Sequence, residues 1–244
     1  MNTASPRKEE HRIETPLNFL SLSGLSTPAI LAAPSTPTNL CVILCHGFLS
    51  DKNSRTNRRL TELLVPQGIA TFRFDWSGMG ESKERFSTMS LKECKEQLDA
   101  TFHMLQERGM NRLGLVGSSF GGLLAILSAP GHPTLKALGL KCPVVDFPEA
   151  LRLEFGPQAM ERWKATNHIP NIVGDGSPVP LHFRFYEECL TYDTYAALSH
   201  IRVPTLVVHG DQDEIIPRPQ IDRLLTTLNT TKQLQLIEGA DHQF

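Results

Sequence analysis

The feature that most constrains the fold is a six-residue run, Leu40–Cys45, in which every side chain is apolar. A strand with no polar position has both faces buried, which is typical of a parallel sheet covered by helices on each side. Similar short apolar runs recur along the chain and alternate with stretches of helical periodicity. This alternation predicts an α/β protein whose sheet is mostly parallel.

The bounds of the other predicted elements follow from these runs and from the Gly, Pro and Ser residues between them. Two opening strands flank a turn within 12–34, and further strands are predicted at 69–74, 113–116, 135–140, 204–209 and 233–237. Helices are predicted at 58–64, 91–108, 123–129 and 220–228. Ser90 and Glu93 have the spacing of a capping box at the start of the second helix.

Residues 143–192 interrupt the alternation of strands and helices. They are rich in Pro, aromatic side chains and mixed charge. We therefore predict a single domain over 1–244 that carries 143–192 as an inserted cap or lid.

Composition and charge exclude several classes of protein. Lys plus Arg number 24 and Asp plus Glu 26, so a net charge of −2 gives no electrostatic footprint for nucleic acid. Five thinly spread cysteines indicate reduced thiols rather than a disulfide framework. With no CxxC pair or HExxH motif, we expect no metal site and no cofactor.

No apolar run approaches the roughly 18 residues of a membrane span, and the first residues lack the apolar stretch of a signal peptide, so we expect a cytoplasmic protein.

The residues Gly-Ser-Ser-Phe-Gly at 117–121 match the GxSxG pattern of a nucleophile elbow. A buried-type strand precedes them and an apolar helix follows, which is the context that this pattern requires. Such a turn lifts the central hydroxyl above the sheet and places the next backbone N–H at a helix N-terminus. The sequence therefore predicts Ser119 as a nucleophile, and a glycine-rich turn with no catalytic role is the alternative.

A serine hydroxyl needs a base, and near neutral pH that base is a histidine held by a carboxylate. His242 lies in the loop directly after the predicted strand 233–237, at the sheet edge where catalytic groups collect. His46 and His209 also end strands, each just before a glycine, and we interpret both as loop-packing residues. The sequence therefore favours His242 as the base.

The loop after the predicted strand 204–209 offers two aspartates for the acid. Asp213 lies deeper in the loop and is better placed to reach His242, whereas Asp211 is expected to bond local backbone amides. Asp241 is adjacent to the histidine, and adjacent residues rarely orient each other's side chains. We therefore predict Asp213 as the acid, which gives the chain order nucleophile, acid, base of α/β hydrolases.

An oxyanion hole needs two backbone donors beside the nucleophile. Gly47 follows the run Leu40–Cys45 by two residues and allows the chain to turn, so that the N–H of Phe48 faces the reaction centre. The N–H of Phe120, one residue past the nucleophile, is the natural second donor. We predict Phe48 and Phe120 in these roles.

The predicted cap supplies apolar surface and a few polar candidates for substrate contact, namely Asp146, Asp175 and His182. Because both flanking strands lead to the sheet edge of the predicted catalytic loops, we expect the cap to lie over or beside Ser119. The cap would then set the choice of substrate, while the sheet would set the chemistry.

Five motifs occur in order along the chain: HGF at 46–48, DWSGMGES at 75–82, GSSFGG at 117–122, HGDQDEIIP at 209–217 and EGADHQF at 238–244. Together they resemble the α/β-hydrolase superfamily. Within it, the set resembles the small bacterial cinnamoyl or feruloyl esterases and the monoacylglycerol-lipase-like serine hydrolases. The resemblance implies an eight-stranded sheet, a Ser/Asp/His triad and a small cap after the sixth strand. Members usually continue past the histidine loop with a closing helix, whereas this sequence ends at Phe244.

The implied activity is the hydrolysis of carboxylic esters through an acyl-enzyme, with hydroxycinnamoyl or short- to medium-chain acyl groups as candidates. An acyltransferase, a thioesterase or a peptidase would use the same triad, and a non-catalytic binding protein of this fold is a further alternative. We expect a small-molecule ester as the partner, with no nucleic acid and no membrane span, and we leave a homodimer open.

Overall fold

Eight strands form one sheet flanked by helices in the computed structural model, which describes residues 13–170 and 177–244. The strands of the chain are β1 (Ile13–Leu20), β2 (Ser26–Ala33), β3 (Leu40–Cys45), β4 (Ala70–Phe74), β5 (Arg112–Ser118), β6 (Leu135–Lys141), β7 (His168–Ile169), β8 (Val179–Pro180), β9 (Thr205–Gly210) and β10 (Lys232–Ile237). The α-helices are α1 (Arg55–Leu64), α2 (Leu91–Glu107), α3 (Phe120–Ser128), α4 (Phe147–Thr166), α5 (Arg184–Cys189), α6 (Thr194–Ser199) and α7 (Arg218–Thr227).

The strand order in the sheet is β1-β2-β4-β3-β5-β6-β9-β10. Only the pairs β1–β2 and β2–β4 are antiparallel, and all other neighbours run parallel. The predicted mostly parallel sheet of about eight strands is confirmed. Strands β7 and β8 form a separate antiparallel pair. No helix among the described residues is both long enough and apolar enough to cross a bilayer.

Every residue of β4 is buried, including two that are polar. Phe72 and Phe74 are completely inaccessible and pack on Phe19 of β1. Thr71 finds a partner in the hydroxyl of Thr61 on α1, and Arg73 donates to Glu14 at 3.0 Å. Both buried polar side chains of β4 therefore have hydrogen-bond partners, although Arg73 Nε has none among the described residues.

Three predicted helices begin too late, and α7 is the mildest case, beginning at Arg218 rather than at residue 220. Helix α1 begins at Arg55 rather than at residue 58, because the side chain of Ser54 accepts a hydrogen bond from Asn57 N and caps it. Helix α3 begins at Phe120 rather than at residue 123, because the chain enters the helix directly from Ser119. The predictions rested on apolar periodicity, which does not register polar or glycine-rich first turns.

A hydroxyl group and a carboxylate from different parts of the chain cap the N-terminus of α2. Ser90 Oγ accepts from Glu93 N at 3.4 Å, which is the serine half of the predicted capping box, while the Glu93 carboxylate accepts from Ser77 Oγ. The carboxylate of Glu188 on α5 accepts from Ser90 Oγ, Leu91 N and Lys92 N at 2.8–3.0 Å. An anion at a helix N-terminus satisfies free N–H groups and the helix dipole together. Glu188 thereby fastens α5 to the core.

The segment 143–192, or cap segment, lies in the connection between β6 and β9. Its long helix α4 is kinked at Gly156, which has φ +70° and precedes Pro157. The buried indole of Trp163 donates to Leu181 O at 2.7 Å and joins α4 to the chain after β8. The segment in which strands and helices were predicted to stop alternating thus contains α4, β7, β8 and α5.

Replacing Glu188 by Ala should lower the free energy of unfolding by about 1–2 kcal/mol, because three donors at the start of α2 lose a charged acceptor. The neighbouring Glu187 is exposed, so Glu187→Ala is the matched control and should change stability little. Urea unfolding followed by circular dichroism measures both. Equal losses in the two variants would contradict the assignment of Glu188 as a cap.

Candidate active site

Ser119 lies in a strained turn between β5 and α3. Its backbone has φ +50° and ψ −115°, a conformation that non-glycine residues rarely adopt. The turn is possible because its neighbours are glycines: a Cβ on Gly117 would lie 2.3 Å from Gly121 O, and one on Gly121 would lie 2.4 Å from Cys45 O. The tight packing fixes the hydroxyl of Ser119 at the carboxyl edge of the sheet.

A chain of hydrogen bonds joins the three residues that the sequence singles out. His242 Nε2 lies 3.0 Å from Ser119 Oγ, and His242 Nδ1 lies 2.9 Å from Asp213 Oδ2. The other carboxylate oxygen of Asp213 accepts from Ile215 N and Ile216 N at 3.0 and 2.9 Å. With Asp213 as the acceptor, Nδ1 carries the imidazole proton and Nε2 is free to accept from the serine.

The Asp213 carboxyl is ionised although its side chain is fully buried. Burial alone would raise its pKa, but hydrogen bonds from His242 and Ile216, together with the nearby Cys142 thiol, outweigh burial and hold the pKa below its ordinary value. A buried carboxylate beside an imidazole stabilises the imidazolium that forms when the imidazole takes a proton.

The two other aspartates near the histidine loop have structural partners. Asp211 Oδ1 accepts from Gly239 N at 2.8 Å and so ties the loop after β9 to the loop after β10. Asp241 is exposed and accepts from Gln243 N. Of the three candidates, Asp213 is the one whose carboxylate contacts the imidazole of His242.

His46 and His209 are both buried at strand ends. His46 Nδ1 bonds Gly47 O at 2.8 Å, and its Nε2 accepts from Trp76 N, so the ring braces the loop after β3. Burial lowers the pKa of His46 to about 4, which keeps the ring neutral. His209 Nδ1 lies 3.6 Å from Asp213 Oδ2 and has no hydrogen-bond partner among the described residues.

The loop after β3 packs directly against Ser119. A Cβ on Gly47 would lie 3.5 Å from the Cβ of Ser119. Over residues 13–170 and 177–244, no protein acceptor is found for the backbone N–H of Phe48 or of Phe120. Two unpaired donors beside a hydroxyl are what an oxyanion hole requires.

The ring of Phe48 is enclosed by aromatic side chains from three parts of the chain. It meets Phe86 at 5.4 Å, Phe120 at 5.6 Å and Phe147 at 5.6 Å between ring centroids. Phe185 stacks on it at 6.0 Å with an interplanar angle of 19°. Phe147 and Phe185 belong to the cap segment, which therefore contacts the loop that carries the Phe48 N–H.

Ser119 and His242 line a cavity of about 600 Å³. Its wall also includes Lys141 and Cys142, which the sequence analysis does not single out for this site. Both follow from the register of β6, since Lys141 pairs with Ser118 on β5. The sequence did offer a signal for these two residues. They lie at the carboxyl end of β6, the parallel neighbour of β5, which leads into Ser119.

Asp146 and His182, two polar candidates of the cap segment, are not among the residues that line this cavity. Asp146 is the N-cap of α4, where Oδ1 accepts from Glu149 N at 2.8 Å, and it lines a separate cavity of about 370 Å³. His182 is exposed, and its backbone N–H donates to Ser87 O. Asp175 lies outside the described residues.

Comparisons of sequence place the chain among hydrolases. The family described as Hydrolase_4, serine aminopeptidase S33, matches residues 36–178. The chain is 24% identical over 211 residues to the mitochondrial palmitoyl-protein thioesterase ABHD10 of Rattus norvegicus, covering 84% of this chain and 69% of that protein. It is 27% identical over 240 residues to the 2,6-dihydropseudooxynicotine hydrolase of Paenarthrobacter nicotinovorans, covering 97% of this chain and 59% of that protein.

Comparison of structures shows the same fold in a protein of nearly equal length. Est1E from Butyrivibrio proteoclasticus, solved with ferulic acid bound, superposes with a TM-score of 0.80 at 24% identity, covering 93% of this chain and 91% of that chain. The likeness at this identity concerns the fold. The α/β-hydrolase fold expected from the five motifs is confirmed.

Replacing Asp213 by Asn should slow covalent labelling of Ser119 by a fluorophosphonate by orders of magnitude, because the amide favours the wrong tautomer of His242; the corresponding change in a serine protease lowers kcat about 10⁴-fold. Asp211→Asn, the matched control, should slow labelling only slightly. Intact-protein mass spectrometry measures the labelling rates of the two variants and of the parent. A reversed order of the two effects would make Asp211 the acid.

Proposed function

We propose that this chain, which belongs to the Hydrolase_4 (serine aminopeptidase, S33) family of hydrolases, is a serine carboxylesterase that acts through an acyl-enzyme on Ser119. The observation that carries the proposal is the continuous hydrogen-bond chain from Asp213 through His242 to Ser119. A hydroxyl in this setting loses its proton to the imidazole as it attacks a carbonyl.

In the proposed reaction, His242 Nε2 takes the proton of Ser119 Oγ while the serine oxygen bonds to the ester carbonyl carbon. The buried carboxylate of Asp213 stabilises the resulting imidazolium. The N–H groups of Phe48 and Phe120 stabilise the oxyanion, a contribution of about 3 kcal/mol for one donor. His242 then gives the proton to the departing alcohol, and water repeats the sequence on the acyl-enzyme to release the acid.

Apolar or aromatic acyl groups of modest size are the proposed substrates, including hydroxycinnamoyl and short- to medium-chain acyl groups. Phe48, Leu49 and Phe244 support this choice, because they place apolar surface in the wall of the cavity that holds Ser119. The ferulic acid bound to Est1E, a protein of the same fold, is consistent with it.

Thioester hydrolysis is the second candidate, since a relative is named a palmitoyl-protein thioesterase. The triad would form the same acyl-enzyme from either bond, so the leaving group distinguishes the two. A panel that holds one acyl group constant as its oxygen ester, its thioester and its amide measures the preference as ratios of kcat/KM. A dominant amide rate would favour a peptidase over both candidates.

Replacing Ser119 by Ala should abolish turnover of p-nitrophenyl esters and labelling by fluorophosphonates while leaving the protein folded, because it removes only the nucleophilic hydroxyl. Ser118→Ala is the matched control, since the Ser118 hydroxyl is buried and has no hydrogen-bond partner among the described residues. A label mapped to Ser118, or Ser119→Ala turnover within tenfold of the parent, would refute the proposal.

Replacing Phe185 by Leu should lower kcat severalfold for small and large esters alike with little change in KM, because the ring stacked on Phe48 supports the oxyanion loop; an aromatic pair contributes about 0.5–1.5 kcal/mol. Phe183→Leu is the matched control, since Phe183 contacts Trp163 and Tyr186 instead. A change in KM confined to bulky acyl groups would show that Phe185 only lines the substrate pocket.

A further inference from the structure

The buried carboxylate of Asp213 has neighbours that ester hydrolysis does not require. Cys142 Sγ, an oxygen of Asp213 and a ring nitrogen of His242 all lie within 4.8 Å of one another. His209 points its unpartnered Nδ1 at Asp213 Oδ2 from 3.6 Å, and only 2% of its side chain is exposed. Among the described residues, a thiol, a carboxylate and two imidazoles therefore meet around one buried oxygen.

We propose that Cys142, Asp213 and His242 bind a zinc ion, or the similar cadmium ion, and that binding switches the triad off. Thiolate sulfur, imidazole nitrogen and carboxylate oxygen are the ligands that zinc takes, at about 2.0–2.3 Å. At those lengths two ligands of a tetrahedral ion lie about 3.3–3.6 Å apart. His242 Nδ1 and Asp213 Oδ2, which are 2.9 Å apart, would therefore separate slightly to admit the ion, and Cys142 Sγ already lies within 4.8 Å of both groups. A water molecule would complete the coordination.

His209 has a defined place in this arrangement. Ligating carboxylates are themselves hydrogen-bonded by outer groups that hold them in orientation. The Nδ1 of His209 lies 3.6 Å from Asp213 Oδ2 and has no hydrogen-bond partner in the described part of the chain. It would donate to the carboxylate once zinc has drawn His242 away from that oxygen.

The binding step balances in protons. Zinc at His242 Nδ1 requires the proton there to move to Nε2, and the Cys142 thiol must release its proton to solvent. A thiol must lose its proton to become a metal ligand, so metal binding and proton release are coupled. One proton is therefore released for each zinc ion. A protonated Nε2 cannot accept the proton of Ser119, and the nucleophile stays inactive.

The ion has a route to the site and a chemical basis for selection. Cys142 and His242 both line the open cavity that holds Ser119, so the ion can enter from solvent. Magnesium and calcium prefer oxygen ligands, and this cluster offers one carboxylate, whereas the soft thiolate favours zinc or cadmium. Inhibition should accordingly be specific to the softer ions.

The first experiment titrates zinc chloride into the enzyme during hydrolysis of p-nitrophenyl acetate, each protein being normalised to its own zinc-free rate. We expect saturable inhibition that EDTA reverses and that magnesium chloride does not cause. Cys142→Ala and Cys142→Ser should each raise the inhibitory zinc concentration at least about tenfold, as loss of even an outer partner of a metal site can do. Cys189→Ser, at another buried cysteine, is the control and should match the parent.

The second experiment does not depend on esterase activity. Cadmium chloride added to Ser119→Ala protein should give a thiolate-to-cadmium charge-transfer band that saturates at one equivalent, with release of one proton in weak buffer. The band should vanish in the Ser119→Ala/Cys142→Ala protein. A missing band, a band that survives loss of Cys142, or zinc inhibition unchanged in both Cys142 variants would overturn the proposal. If the parent hydrolyses no ester, only the proposed function fails, and the cadmium band still tests the metal site.

Discussion

Two pairs of segments must approach at backbone distance at the carboxyl edge of the sheet, and the candidate site depends on both approaches. The loop after β3 meets the first turn of α3 where Gly121 leaves no room for a Cβ against Cys45 O. The loop after β10 meets the end of β9 in the same way, since a Cβ on Gly210 would lie 2.2 Å from Ala240 O. Parallel strands deliver all of these loops to one edge, and glycines let them close. The spacing of Ser119, His242 and Asp213 follows from this packing of main chain.

Much of this arrangement could be predicted because it is encoded locally. A few consecutive residues are enough to identify each of its parts: the apolar strands, the glycines around Ser119, and the loops after β9 and β10. The choice of Asp213 over Asp211 needed only its depth in the loop. In the structure Asp213 contacts the imidazole, and Asp211 bonds the backbone of Gly239.

The features that sequence could not provide depend on contacts between distant residues. Glu188 caps a helix that begins 97 positions earlier in the chain, at Leu91. Asp146 follows β6 closely enough to suggest a role in the site. Its carboxylate instead caps α4, where it accepts a hydrogen bond from the free backbone N–H of Glu149. The meeting of Cys142 with Asp213 has no spacing pattern, since the two follow different strands that happen to be neighbours in the sheet.

The structure also changes how the work is divided between sheet and cap segment. The sequence favours a sheet that sets the chemistry and a cap that sets the substrate. In the structure, rings from the cap segment press on Phe48, whose backbone N–H is a proposed donor to the oxyanion. A well-packed aromatic cluster transmits displacement because its members have no free volume in which to relax. Phe48 itself lines the cavity that holds Ser119, whereas Phe147 and Phe185 lie behind it in the core. The residue that would meet an acyl group therefore also carries a proposed donor, so substrate fit and transition-state stabilisation are coupled through Phe48.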